Sequence, residues 1–106
     1  MIIRFKVWLE LDGEPIISEG KYQLLKAIEE EGSILKAAEK LGLSYKRAHS
    51  QIKAMEERLG KPVVKRRKKK GAELTKLGRK LISEYERVLK EFERLVSGLP
   101  PLKLKE

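Results

Sequence analysis

Between Gly32 and Gly60 the chain reads GSILKAAEKLGLSYKRAHSQIKAMEERLG, and few folds accommodate such a stretch. Ala37 and Ala38 are small enough for two helices to cross closely, and Gly42 supplies the positive backbone angle of a sharp turn after Leu41. Ser44 then stands where its side-chain oxygen caps a new helix. Along that helix Ala48, Ile52, Met55 and Leu59 recur at spacings of four, three and four, which is one buried stripe. At about 100° per residue the opposite face holds Lys46, Ser50 and Lys53, flanked by Arg47 and His49, before it turns acidic at Glu56 and Glu57. A helix that meets phosphates presents its positive first turns and withdraws its acidic end, which is the order found here. Any amphipathic helix has a solvated charged face. The paired alanines, the Leu-Gly-Leu-Ser turn and the basic first turn occur together and in order, and that favours a helix-turn-helix with a nucleic-acid-reading second helix.

The second half of the chain is where the charge lies. Residues 1–60 hold 10 Lys and Arg against 10 Asp and Glu, whereas residues 61–106 hold 15 against 6, so the net +9 is concentrated beyond the helix pair. Pro62-Val63-Val64 reads as a strand, and Lys65, Arg66, Arg67, Lys68, Lys69 and Lys70 form an unbroken basic run. Gly71 turns, and Ala72-Glu73-Leu74-Thr75 reads as the returning strand. Runs of like charge are commonly solvated or disordered. Directly after a recognition helix and between two strands, this one reads as the wing of a winged helix, with Arg66 and Arg67 best suited to enter a minor groove.

The same residues carry a resemblance. Gly32 to Ala48 resembles the N-terminal DNA-binding domain shared by LysR-type and ModE-type molybdate regulators, and is close to the ModE form, with its Leu-Gly-Leu-Ser-Tyr-Lys entry into the recognition helix. Trp8 to Ile28 is similar to the ModE strand pair and first helix. Glu57 to Val63 and Leu74 to Gly78 resemble the segments on either side of the wing. The resemblance implies a winged helix-turn-helix. It departs from the family at His49, where Trp is frequent, and no counterpart of a ModE molybdate-binding region is seen in the 106 residues.

Ahead of the helix pair, Ile3, Phe5, Val7, Leu9 and Leu11 alternate with polar residues and Trp8, which predicts a half-buried strand. Asp12-Gly13 predicts a turn and Glu14 to Ile17 a short return strand. Trp8 lies on the polar face, either over aliphatic stems or against a partner subunit. Ser18 is expected to cap a helix to Glu31, with Leu24, Leu25 and Ile28 inward and Glu29 to Glu31 turned away from DNA.

After the wing, Thr75 is expected to cap a long helix to Ser97. Leu81, Tyr85, Val88, Phe92 and Leu95 form one apolar row on it, and Ile82, Leu89 and Val96 a second. Two rows suggest one for the domain's own core and one for a second copy, so all eight are candidates for a dimer interface. Lys76, Arg79 and Lys80 crowd the first turns, where the helix dipole disfavours cations and nearby phosphates would remove the conflict.

The expected architecture is mainly α with small β. A strand pair occupies 1–17, a winged helix-turn-helix with a three-helix core 18–75, a dimerisation helix 76–97 and a mobile tail 98–106. One His, one Asp and no Cys argue against a Ser-His-Asp triad, a metal centre or a cofactor site, and the chain reads as not an enzyme. The absence of Cys and of a signal or membrane-spanning segment predicts a cytoplasmic, nucleoid-associated protein. Absence of Asn and a 39% share of charged residues resemble thermophile compositions.

The expected function is sequence-selective binding of double-stranded DNA as a homodimer, in transcription regulation. No membrane partner or small-molecule effector is evident. Base reading falls chiefly to Tyr45, Lys46, His49 and Ser50, with Ser44 and Arg47 beside them. Lys53, Lys65 to Lys70 and Lys76 are assigned to the backbone. An architectural DNA-binding protein with little sequence preference and a protein-interaction module remain as alternatives.

Overall fold

The computed structural model describes residues 2–69 and 71–100. Its elements run β1 (Leu9–Leu11), β2 (Glu14–Ile17), α1 (Glu19–Glu31), α2 (Ile34–Leu41), α3 (Tyr45–Leu59), β3 (Val64–Arg66), β4 (Ala72–Leu74) and α4 (Lys76–Ser97). The strands make two separate antiparallel hairpins, β1 with β2 and β3 with β4. This is the winged helix-turn-helix architecture expected from the sequence.

The helices of the core are started by local chemistry. Ser33, Ser44 and Thr75 each accept a hydrogen bond from the backbone amide three residues on, at 3.2, 3.1 and 3.1 Å. Ser18 holds the N-cap position of α1, but its hydroxyl makes no cap bond there, so only the position of that expected cap is right. Between α2 and α3, Gly42 takes φ 70°, and the Gly42 and Leu43 amides bond back to Glu39 and Ala38. The turn closes over Ala37, Ala38 and Ala48, all fully buried, where α2 and α3 pack with α1. Ile52 and Met55 continue the stripe inward toward Leu24, Leu25 and Ile28.

Two strands differ from the alternation-based expectation. Residues 2–8 form no ladder, because β2 is four residues long and the pairing ends at Leu9 with Ile17, where the chain turns into α1. With no strand to bond, the segment lies over α4. Tyr85 donates its hydroxyl to the Val7 carbonyl at 2.9 Å, and the Phe5 and Phe92 rings are 6.1 Å apart. The second difference is that β3 starts at Val64 rather than Pro62. Glu56 explains it: its carboxylate accepts from the Val63 and Val64 amides at 2.8 and 3.4 Å, holding Val63 out of the ladder.

The wing is tied to the body from both sides. The Ala72 amide donates to the Gly32 carbonyl at the α1–α2 corner, 2.8 Å, and the Thr75 amide to the Val63 carbonyl, 3.0 Å. Arg79 donates to the Leu74 carbonyl at 2.9 Å, so this cation of α4 is engaged with backbone. On the far side, Tyr22 stacks on buried Tyr85 with centroids 4.9 Å apart and donates to Glu86 at 2.6 Å. Burial, then that hydrogen bond and the Glu86 charge, push the Tyr22 hydroxyl up to about 12, so it stays a neutral donor at working pH. The acids of α1 are paired too: Lys40 lies 3.4 Å from Glu30 and 3.7 Å from Glu31.

Along α4 the two apolar rows do not divide cleanly between core and outer face. Ile82 and Tyr85, both read as dimer-interface candidates, are buried at 4% and 1% exposure in the domain's own core. The stacked Tyr22 ring and the Val7 carbonyl occupy the space around Tyr85. Leu81 and Leu89 pack half-buried on the same core, while Val88 and Val96 are half-buried. Phe92 and Leu95 are exposed at 44% and 60%.

Candidate nucleic-acid interface

The N-terminal half of α3 stands clear of the body with its cap intact. Lys46, Arg47, Ser50 and Lys53 are exposed, because the buried stripe Ala48, Ile52 and Met55 turns the helix's other side inward. Ser44 is exposed, with its oxygen accepting from the Arg47 amide at 3.1 Å. His49 is half-buried and stacks on Tyr45, centroids 6.0 Å apart and planes 22° apart. Toward the far end one of the two acids, Glu56, is drawn off this face, while Glu57 stays exposed. Glu56 is turned onto the Val63 amide, and Arg58 donates to the Pro15 carbonyl and lies 3.7 Å from Glu14, tying α3 to the N-terminal hairpin.

The wing lies beside this face. Lys65, Lys68 and Lys69 are exposed, and Lys69 takes a left-handed φ of 60° at the hairpin tip. Lys70 lies outside the described residues. The two arginines singled out for minor-groove insertion are both engaged. Arg66 donates to the Tyr45 hydroxyl at 3.0 Å, and Arg67 pairs with Glu73 at 2.9 Å. Lys76 is exposed on the first turn of α4.

Between α2, the start of α3 and the wing lies an apolar cleft of about 330 Å³, lined by Ile34, Leu35, Tyr45, Arg66, Gly71 and Ala72. Leu35, 48% exposed, was not singled out from the sequence. The available signal was its place one residue off the Ile34, Ala37, Ala38 stripe, which leaves an apolar side chain on the outer side of α2. Chemically the surface can hold anions with Lys46, Arg47, Lys53, Lys65, Lys68 and Lys69, and can exchange hydrogen bonds through Ser50 and His49. Among the described residues no group of three or more His, Cys, Asp or Glu is placed to hold a metal ion, and no helix is long and apolar enough to cross a membrane.

Comparison with known proteins places this geometry. Residues 20–79 match the family of bacterial regulatory helix-turn-helix proteins of the lysR type. The chain is 35% identical over 95 residues to the molybdenum transport protein ModE of Azotobacter vinelandii, covering 86% of this chain and 35% of that protein. It therefore spans about a third of the length of that relative. Among solved structures, the DNA-binding domain of CbnR in complex with DNA superposes with a TM-score of 0.60 at 28% identity, covering 71% of this chain and 85% of that one. The BenM DNA-binding domain in complex with benA site 1 DNA gives 0.60 at 27%, covering 74% and 90%. With its helix pair, wing and long terminal helix, the chain belongs to the lysR family of bacterial regulatory helix-turn-helix proteins, as a winged helix-turn-helix DNA-binding domain.

Proposed function

We propose that the chain binds double-stranded DNA sequence-selectively as a homodimer and so regulates transcription. In this reading the first two turns of α3 enter the major groove and the wing lies on the backbone. The observation that carries it is the set of exposed residues Lys46, Arg47, Ser50 and Lys53 on a capped helix start, with Lys65, Lys68 and Lys69 exposed on the hairpin whose Arg66 bonds Tyr45 at that start. The neighbouring carboxylates of Glu56 and Glu73 are turned to a backbone amide and to Arg67. The CbnR and BenM domains, solved with DNA, support the reading by their similarity. Base reading is assigned to Lys46, His49 and Ser50, with Ser44 and Arg47 at the helix start. Backbone contact is assigned to Lys53, Lys65, Lys68, Lys69, Lys70 and Lys76.

Selecting bound sequences from a random duplex pool tests the function. Enrichment of a two-fold symmetric site is the expected result, and equal binding of selected and random DNA at fixed salt would instead favour an architectural role. Lys46→Ala with Ser50→Ala is then expected to weaken binding to the selected site by about 1–3 kcal/mol per lost base contact while changing random-DNA affinity far less. Equal losses on both would make these residues backbone contacts. Replacing Lys68 and Lys69 with Gln is expected to weaken binding to all sequences alike. It should also flatten the log–log salt dependence by about 0.9 per phosphate contact removed. An unchanged slope would place the wing away from the DNA.

A further inference from the structure

We infer that Tyr45 and Arg66 form a clasp that sets the wing at a fixed distance from the recognition helix, so that Tyr45 is a positioning residue rather than a base reader. This rests on the DNA-binding reading above. Arg66 is the last residue of β3, held by its pairing with Ala72, whose own amide is bonded to Gly32. Arg66 and Tyr45 both line the apolar cleft, and the Arg66 guanidinium donates to the hydroxyl of Tyr45, 3.0 Å away, the first residue of α3 after the Ser44 cap. Both ends of the bond are thus anchored on backbone that is itself hydrogen-bonded. The Tyr45 ring meanwhile backs the His49 imidazole.

A hairpin with three paired residues per strand holds its own shape weakly, and this one has a run of cations that repel one another at its tip. The clasp, the Arg67–Glu73 ion pair and the Ala72 bond to Gly32 hold it. Glu56, near the far end of α3, holds the base of the wing through the Val63 and Val64 amides, whereas the clasp joins the tip-side end of β3 to the first turn of α3, where base reading is assigned. On random DNA a wing contacts phosphate in any pose, because the interaction is electrostatic and tolerant of register. On a selected site the helix and wing must engage together, and a wing already set at the right span avoids the ordering cost at that moment. The clasp therefore acts on discrimination more than on affinity.

A double-mutant cycle of Tyr45→Phe and Arg66→Met, read as the ratio of affinities for selected and random duplexes, tests it. Each single variant is expected to lower the ratio by about two- to fivefold, the modest worth of a solvent-exposed hydrogen bond, and the double variant no further. Phe keeps the stack on His49 and Met keeps the aliphatic stem, so thermal midpoints should hold. In the free protein, amide exchange at Arg67, bonded to the Gly71 carbonyl at 2.8 Å, should quicken in Tyr45→Phe. Additive losses in the cycle would overturn the clasp, because Tyr45 and Arg66 would then act on DNA independently, and so would unchanged Arg67 exchange. A wild-type protein with no preference among duplexes would instead defeat the sequence-selective reading, and the exchange measurement would still decide whether the clasp exists.

Discussion

Gly78→Ala is expected to lower stability by about 3 kcal/mol, although alanine is the better helix former. Gly78 sits in the first turn of α4, where a Cβ would lie 2.3 Å from the Val63 carbonyl oxygen and 3.3 Å from the Leu74 Cβ. Neither neighbour is free to move. The Val63 carbonyl accepts the Thr75 amide at 3.0 Å, and Thr75 caps α4 through the Gly78 amide while donating its hydroxyl to the Pro62 carbonyl at 2.8 Å. Opening the contact would separate the base of the wing from the start of α4. At about 4–8 °C per kcal/mol for a domain of this size, the thermal midpoint should fall by about 12–24 °C. Gly20→Ala is the control. It is also a helical glycine, nothing lies within 4 Å of its added Cβ, and it should gain about 0.4–1 kcal/mol. A Gly78→Ala protein as stable as the wild type would mean that the helix and wing do not approach as closely as described.

The contrast between those two glycines shows what the chain's pattern could and could not convey. Periodicity and capping chemistry are local. The stripe of Ala48, Ile52 and Met55, the turn at Gly42 and the Ser44 and Thr75 caps were all readable from spacing, because each depends on residues within one or two helical turns. The failures are contacts made across long stretches of chain. Alternation from Ile3 to Leu11 predicted one long strand, yet a strand needs a partner, and β2 is only four residues long. Glu56 was readable only as the acidic end of a helix face, while its effect is to displace the start of β3 by two residues. In the candidate site, which side of α3 faces out followed from 100° per residue. That Arg66 and Arg67 already have partners did not, because Tyr45 lies 21 residues away along the chain and an ion pair across a hairpin depends on register.

Phe92→Glu with Leu95→Glu is expected to convert a dimer to a folded monomer that loses strong binding to its selected site. The structure favours this pair over Leu89, which packs on the domain's own core, so a charge there would confuse unfolding with dissociation. Phe92 and Leu95 lie on the last two turns of α4, exposed at 44% and 60%, and Ile3, Phe5 and Trp8 are exposed at 41%, 37% and 53%. Phe5 and Phe92 join the helix and the N-terminal segment into one apolar surface, interrupted at Trp8 by its bond to Glu10 at 2.7 Å. An exposed apolar surface of this kind is the mark of an interface, and a helix pair about a two-fold axis would cover both copies at once. One recognition helix touches only a few base pairs, whereas two in fixed relation read half-sites about 34 Å apart, or a multiple of it. Sedimentation of wild type and variant, with circular dichroism and duplex affinity on the same samples, decides between the possibilities. The expected result is a wild-type dimer and a helical monomeric variant whose affinity for the selected site approaches that for random DNA. A wild-type protein that sediments as a monomer, yet holds its site tightly, would sink the dimer and leave the apolar end of α4 to a different partner.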